Sequence, residues 1–315
     1  MPKKLERVLP IAIGICLLGW HTAGVAQGIP SRSVVTPSWV TPVIRVQRLQ
    51  HRTFDSPTVG SQVSYFTYTP GLYDVDQERG FPVLYWLHGY GGGLSGVPAL
   101  VRYFDTAIRA GKIPPMLVVF PNGLAGSMWC DSKDGRMPVE TVVIRELVPH
   151  IDAAFRTIAS REGRLIEGFS MGGYGAARLG FKHHHLFSAV SILGGGPLQQ
   201  EFNVNDTPRA NPREAQLLLD TVYGGDQEYF RAQSPWVLAH QNADALRRST
   251  RVRQVVGDRD GTLDNNRRFA ARLTQLEIPH TFTVLPGVGH NPDAVLNALG
   301  EANWEFYRAV FGARR

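Results

Sequence analysis

Cysteine is nearly absent: Cys16 and Cys130 are the only two in 315 residues. Cys16 falls in an apolar N-terminal stretch read below as a cleaved leader, which leaves one thiol and no internal disulfide. Stability therefore has to come from an unaided core, and about 290 residues are ample for that. A long apolar run is missing too. Val8–Trp20 is too short to hold the mature chain in a bilayer. No block of like charge stands out, with 33 Lys and Arg against 27 Asp and Glu. The densest basic group (Arg247, Arg248, Arg251, Arg253) straddles a predicted helix end and strand start and reads as a solvated face. This argues against nucleic-acid binding and leaves room only for mild attraction to anionic envelope polymers. With 43% hydrophobic and 19% charged residues, disorder is excluded as well.

Lys3, Lys4 and Arg7 precede the apolar stretch, and Gly24-Val25-Ala26 supplies small residues behind it. That order predicts a signal peptide over 1–26, a mature start near Gln27 and a secreted or periplasmic location. Ile15 before Cys16 argues against lipoprotein cleavage. Removing residues 1–26 lowers the formal charge from +6 to +4, since Lys3, Lys4, Arg7 and Glu6 leave together. Residues 27–43, rich in Pro, Ser and Thr, read as a loose lead-in, and 44–315 as one catalytic domain.

Within that domain strands and helices alternate, without linker or repeat. Val43–Gln50 and Gln62–Thr69 read as an opening strand pair around the turn-rich Asp55-Ser56-Pro57. Strands follow at Phe81–His88, Met116–Pro121, Arg164–Phe169, Phe187–Leu193, Arg251–Val256 and Thr281–Leu285. Helices are predicted at Pro98–Ala110, Val139–Phe155, Gly172–Phe181, Asp264–Leu276 and Pro292–Phe311. The pattern implies a doubly wound α/β sheet, mostly parallel after its first strands, with helices on both faces. Residues 197–245 break the alternation and read as a cap-like insertion over the strand ends.

Gly168-Phe169-Ser170-Met171-Gly172 joins a buried strand to a helix, and small residues two before and two after relieve the crowding of so sharp a turn. The turn lifts the Ser170 hydroxyl above the sheet edge, at a helix N-terminus. A serine needs a base, and the base an orienting acid, both on loops after later strands. His290, in Pro286-Gly287-Val288-Gly289-His290, follows the last strand, with Asn291 and Pro292 as N-cap and first position of the closing helix. Asp258 and Asp260 both follow the strand 251–256. Asp260, further into the turn, is the better placed to reach the histidine loop, Asp258 remains the alternative, and Asp264 suits a helix N-cap. For the oxyanion, the Met171 N–H is one expected donor, and the loop His88-Gly89-Tyr90-Gly91-Gly92-Gly93 supplies the other, Tyr90 ahead of Gly91. No Lys-Ser/Thr follows that loop, so it is a poor nucleotide cradle. The adjacent His183, His184 and His185 follow a helix end, where capping or solvent contact is expected rather than a metal.

Together LYWLHGYGGG (84–93), VVFPNG (118–123) with Trp129, IEGFSMGGYGA (166–176), GDRD (257–260) and GVGH (287–290) resemble the esterase D-like family of α/β-hydrolases. That family includes feruloyl and acetylxylan esterases, S-formylglutathione hydrolases and antigen 85-type mycolyltransferases. The resemblance covers roughly 45–312. It implies an α/β-hydrolase fold with Ser170 as nucleophile, His290 as base and Asp260 in the acid position. It also puts Asn122 and Trp129 at the substrate pocket; Gly91 is read as a substrate contact beside them, and no cofactor or metal is expected. Asn291-Pro292 stands where many members have Asp-Trp. The expected activity is hydrolysis of a small-molecule or polysaccharide-linked carboxylic ester. The rivals are acyl transfer to a sugar or alcohol and a non-catalytic binding module, the last disfavoured because no triad member is missing.

Overall fold

A computed structural model describes residues 37–207 and 209–312. The predicted leader and residues 27–36 of the lead-in lie outside them. Eight strands form one sheet: β1 (Leu49–Ser56), β2 (Ser61–Tyr68), β3 (Val83–Leu87), β4 (Leu117–Pro121), β5 (Arg164–Phe169), β6 (Ala189–Leu193), β7 (Arg251–Gly257) and β8 (His280–Leu285). Their order is β1-β2-β4-β3-β5-β6-β7-β8. β1–β2 and β2–β4 are antiparallel and every later pair is parallel, so the chain has the α/β-hydrolase architecture.

The inner strands are apolar throughout because helices cover both faces. Along β3, Val83, Tyr85 and Leu87 enter one buried cluster while Leu84 and Trp86 enter the other. The strand period of two thus divides the core into two layers. The first layer holds Trp129, Tyr174 and Phe181, the second Phe104 and Tyr307. β5 runs through the middle, between β3 and β6, with all six residues buried. Its C-terminal end is therefore a rigid place to present a reactive group.

The edges of the prediction shift. The first strand is Leu49–Ser56, not Val43–Gln50, and the ladder runs on through Asp55↔Gln62 and Ser56↔Ser61. Phe54 stacks on His150 at 5.1 Å and Ser56 Oγ donates to Glu146, contacts that outweigh the local turn preference of Asp-Ser-Pro. The lead-in is not loose where it is described. Trp39 is buried, its carbonyl accepts from Ser64 N–H at 2.8 Å, and Thr41 N–H donates to Ser64 Oγ at 2.8 Å.

The closing helix is two, Pro292–Leu299 and Glu301–Phe311, broken at Gly300 with φ 50°. The second helix carries Asn303 and Tyr307 onto a buried polar cluster. There Arg253 leaves the expected solvated face: it is buried, bonded to Ser191, Asn303 and Glu167, and stacked over Phe306 at 3.8 Å. Asp264 is not the N-cap of its helix, which starts at Leu263 after Thr262.

The insertion folds as helices Pro212–Tyr223, Gln227–Gln233, Pro235–Gln241 and Ala243–Ser249. Only its first part, up to Leu218, reaches the cavity at the strand ends. The rest packs as a layer beside the sheet, with Trp236 against Phe269 and the Tyr223 hydroxyl 3.2 Å from that of Tyr174.

Candidate active site

Ser170 stands between β5 and the helix Met171–Lys182 at φ 61°, ψ −120°. An L-residue holds that conformation only where its surroundings enforce it. Ser170 N–H donates to Leu193 O at 3.0 Å and its carbonyl accepts from Tyr174 N–H at 3.1 Å, fixing the turn from both sides. The flanking glycines answer to space rather than to torsion. A Cβ at Gly172 would lie 1.9 Å from the Leu87 carbonyl oxygen, and one at Gly168 2.4 Å from that of Gly172. β3, β5 and the helix can meet this closely only with hydrogen at both positions.

The Ser170 hydroxyl lies 2.8 Å from His290 Nε2, and His290 Nδ1 lies 2.7 Å from Asp260 Oδ2. The three come from separate loops, after β5, β8 and β7. Asn291 caps the helix behind the histidine by accepting from Ala294 N–H at 2.9 Å, and the Phe169 ring packs on the imidazole at 4.5 Å. Asp260 is buried, and its Oδ1 accepts from Thr262 N–H at 2.8 Å and Thr262 Oγ at 2.9 Å. Burial pushes this carboxyl up, but the bonds from His290 and Thr262 outweigh it and hold the group below its ordinary value. Asp258 does not touch His290. Its exposed carboxylate accepts from Gly287 N–H at 2.7 Å, while Arg259 N–H donates to Val288 O at 3.0 Å, so this stretch pins the histidine loop.

Gly89 runs against Ser170: a Cβ there would lie 3.3 Å from Ser170 Cβ. In the next two residues the candidate donors separate. Gly91 N–H is taken by Ala125 O at 2.7 Å, whereas among the described residues no acceptor lies within bonding distance of Tyr90 N–H. Met171 N–H, first in its helix, has no intrahelical partner either. His88 anchors the loop as a neutral imidazole. Its Nδ1–H donates to Gly89 O at 2.8 Å, Nε2 accepts from Gly123 N–H at 3.2 Å, and burial pulls its pKa down to about 4.

Gly91, Asn122 and Trp129, expected at the pocket, are not among the residues lining the cavity at Ser170, though Asn122 lines a small cavity that shares Trp86 and His88 with it. Gly91 turns away to meet Ala125. Asn122 is spent on the chain, donating to Ser38 O at 3.0 Å and accepting from Leu124 N–H at 3.1 Å. Trp129 is fully buried at φ 54°, its indole N–H donating to His88 O at 3.1 Å. The indole lies flat on Gly175, where a Cβ would come within 2.4 Å of the ring. Trp129 therefore braces the loop 88–93 through His88, while Asn122 ties its own turn to Ser38. His183 bonds Glu140 at 2.7 Å, beside Lys182 and the buried Arg178. Among the described residues no three His, Cys, Asp or Glu are grouped to hold a metal.

Ser170 and His290 sit in a cavity of about 600 Å³. Trp86, Leu100, Met128 and Phe169 supply its apolar surface; Arg209, Glu214 and Asp293 bring charge from the insertion and the closing helix. Sequence reasoning missed Thr262, Arg209 and the clamping role of His88. Thr262 had a legible signal in its position two residues after Asp260. Arg209 had none, because its approach depends on how the insertion folds.

Several known proteins are similar to this chain. Esterase Rv1288 of Mycobacterium tuberculosis (strain ATCC 25618 / H37Rv) is 32% identical over 268 residues, which cover 77% of this chain and 56% of that protein. An endo-1,4-beta-xylanase/feruloyl esterase of Xylanibacter ruminicola is 33% identical over 162 residues, 49% of this chain and 22% of its own length. The chain thus spans about half the length, or less, of these curated relatives. Among solved structures, a ferulic acid esterase superposes with a TM-score of 0.67 at 24% identity, covering 84% of this chain and 98% of that one. An S-formylglutathione hydrolase from Agrobacterium tumefaciens gives 0.67 at 18% identity, covering 84% and 95%. These likenesses bear on the fold. The family described as "Putative esterase" matches residues 56–311, and the chain belongs to it.

Proposed function

We propose that the chain is an exported serine carboxylic-ester hydrolase acting through an acyl-enzyme. The observation that carries this is the unbroken chain from Asp260 through His290 to the Ser170 hydroxyl, at 2.7 Å and 2.8 Å, ending in a cavity of about 600 Å³. Ser170 Oγ attacks the ester carbonyl as His290 Nε2 takes its proton, and the Nδ1–H held by Asp260 stabilises the imidazolium. Met171 and Tyr90 amides receive the oxyanion, a contribution of about 3 kcal/mol for each donor. Collapse returns the proton to the departing alcohol, and water, deprotonated by the same histidine, releases the acid and restores Ser170.

A volume of about 600 Å³ lies in the range of pockets for drug-sized ligands. Its aromatic and aliphatic wall suits the acyl group, and the charged mouth suits a hydroxyl-rich alcohol such as a sugar. The feruloyl esterase names among the relatives support a carbohydrate-linked aromatic ester as the substrate class. Export rests on the basic and apolar pattern of residues 1–26; no helix among the described residues is long and apolar enough to cross a membrane.

The test is turnover of aryl, acetyl and feruloyl esters by the mature chain, with an organophosphonate probe and peptide mass mapping. Saturable hydrolysis and labelling at Ser170 are expected. Labelling elsewhere, or hydrolysis surviving full labelling, refutes the assignment. Adding a sugar acceptor and weighing the products separates hydrolysis from transfer.

A further inference from the structure

A cavity of about 1060 Å³ lies at the opposite end of the sheet's strands from Ser170. It is bounded by Ala189 and Arg251 at the starts of β6 and β7, whereas the nucleophile, acid and base follow strand ends. Parallel strands of five to seven residues separate the two edges by about 15–20 Å. A ligand in this cleft therefore cannot contact the reacting carbonyl.

Its charge is one-sided. Arg79, Arg161, Arg247, Arg248 and Arg251 line it, and among the described residues Glu162 is the one lining carboxylate, although basic and acidic residues nearly balance over the whole chain. These arginines come from the loops before β3 and β5, the end of the helix Ala243–Ser249 and the start of β7. Arg161 donates to neutral oxygens, His184 O at 2.7 Å, Ser249 O at 2.8 Å and Thr250 Oγ1 at 3.1 Å, with the Glu162 carboxylate acting on it electrostatically. Arg247 pairs with Asp244. Among the described residues no carboxylate pairs with Arg79, Arg248 or Arg251. The field reaches neighbouring groups: burial first, then His185, Arg161, His183 and Arg248, hold His184 below the ordinary histidine pKa. The floor between the cations is uncharged, formed by Pro82, Pro115, Ile158 and Val310.

We propose that this cleft is a docking site for an extended, phosphate-bearing polymer. Unpaired guanidinium groups facing one groove repel each other until an anion separates them, and their planar forks match phosphate oxygens. A phosphate presents acceptors in several directions, so one group can be held from two walls. The spread of the arginines over separate elements fits several charges rather than one. Docking here would tether the enzyme near a phosphate-rich matrix and leave the cavity around Ser170 open, and it holds whatever ester that cavity takes.

The experiment is titration of the whole mature chain with linear inorganic polyphosphate, followed by calorimetry. Saturable binding is expected, weakening about tenfold or more between low and physiological salt as counterions are recaptured. The exposed pair Arg248→Gln with Arg251→Gln should weaken it by about tenfold, the equivalent of ~1.4 kcal/mol, with hydrolysis of a small soluble ester unchanged. The control pair Arg102→Gln with Arg145→Gln removes the same charge from exposed sites outside the cleft. If both pairs weaken binding equally, the attraction is to net charge and the site is refuted. Absence of polyphosphate binding, or binding only to anionic phospholipid vesicles, refutes it as well.

Discussion

The two aspartates after β7 give the sharpest test, because the structure fixes what an amide in place of each would do. In Asp260→Asn the side chain keeps two atoms in contact with fixed partners. One faces the Thr262 N–H, at 2.8 Å, which can only donate. The amide oxygen must therefore occupy that side, and the amide nitrogen turns to His290 Nδ1, where the carboxylate oxygen sat at 2.7 Å. An N–H facing Nδ1 forces the imidazole proton onto Nε2, which then points at Ser170 Oγ and cannot take its proton. The expected loss is about 10,000-fold in kcat, or ~5.5 kcal/mol, the size known when the orienting acid of a serine triad is replaced by its amide. At Asp258 the same change is harmless, since an asparagine oxygen can still accept from Gly287 N–H. Asp258→Ala removes that clamp on the histidine loop and should cost about tenfold or less, a single hydrogen bond being worth ~1 kcal/mol. Steady-state kinetics of the three variants on one activated ester, with circular dichroism to confirm folding, decide the matter. An Asp260→Asn enzyme retaining a tenth of wild-type turnover, or a larger loss at Asp258, would overturn the derivation.

Ser170→Ala should lower ester turnover by at least ~1,000-fold with an unchanged melting curve, and a variant keeping a tenth of the activity would disprove the nucleophile. Gly172→Ala places a methyl 1.9 Å from a backbone oxygen and should destabilise by about 3 kcal/mol or yield insoluble protein, read from urea midpoints; an unchanged midpoint would show that β3 and the elbow helix can part. His88 has a folded pKa of about 4, below its value in the unfolded chain. The unfolded state therefore gains the proton first as pH falls, and stability should drop between pH about 6.5 and about 4, by on the order of 3 kcal/mol. In His88→Gln that part of the slope should vanish; an identical acid profile would place the sensitivity elsewhere.

The strand–turn–helix pattern at 164–182 was legible because a sharp turn demands small residues at Gly168 and Gly172, and that demand is local. The histidine was legible for a similar reason: Gly289-His290-Asn291-Pro292 marks a loop and a capped helix start in four letters. The mostly parallel sheet followed from alternation, since parallel strands need crossovers, while the order of its strands came only with the structure. What lay beyond reach was set by partners distant in sequence. Nothing near Trp129 says that its indole lies on Gly175 and bonds His88, so a residue expected at the pocket is found behind it. Arg253 looked like one of four solvated arginines, yet strand alternation turned it inward to Glu167, 86 residues away. The choice between Tyr90 and Gly91 depended on the Ala125 carbonyl, which occupies one amide and leaves the other. Local sequence determined which residues could react and what turns would carry them. Only the tertiary structure decided which polar groups were already satisfied, because a hydrogen-bond partner is chosen by distance in space, and that distance is a property of the packed sheet and not of the chain.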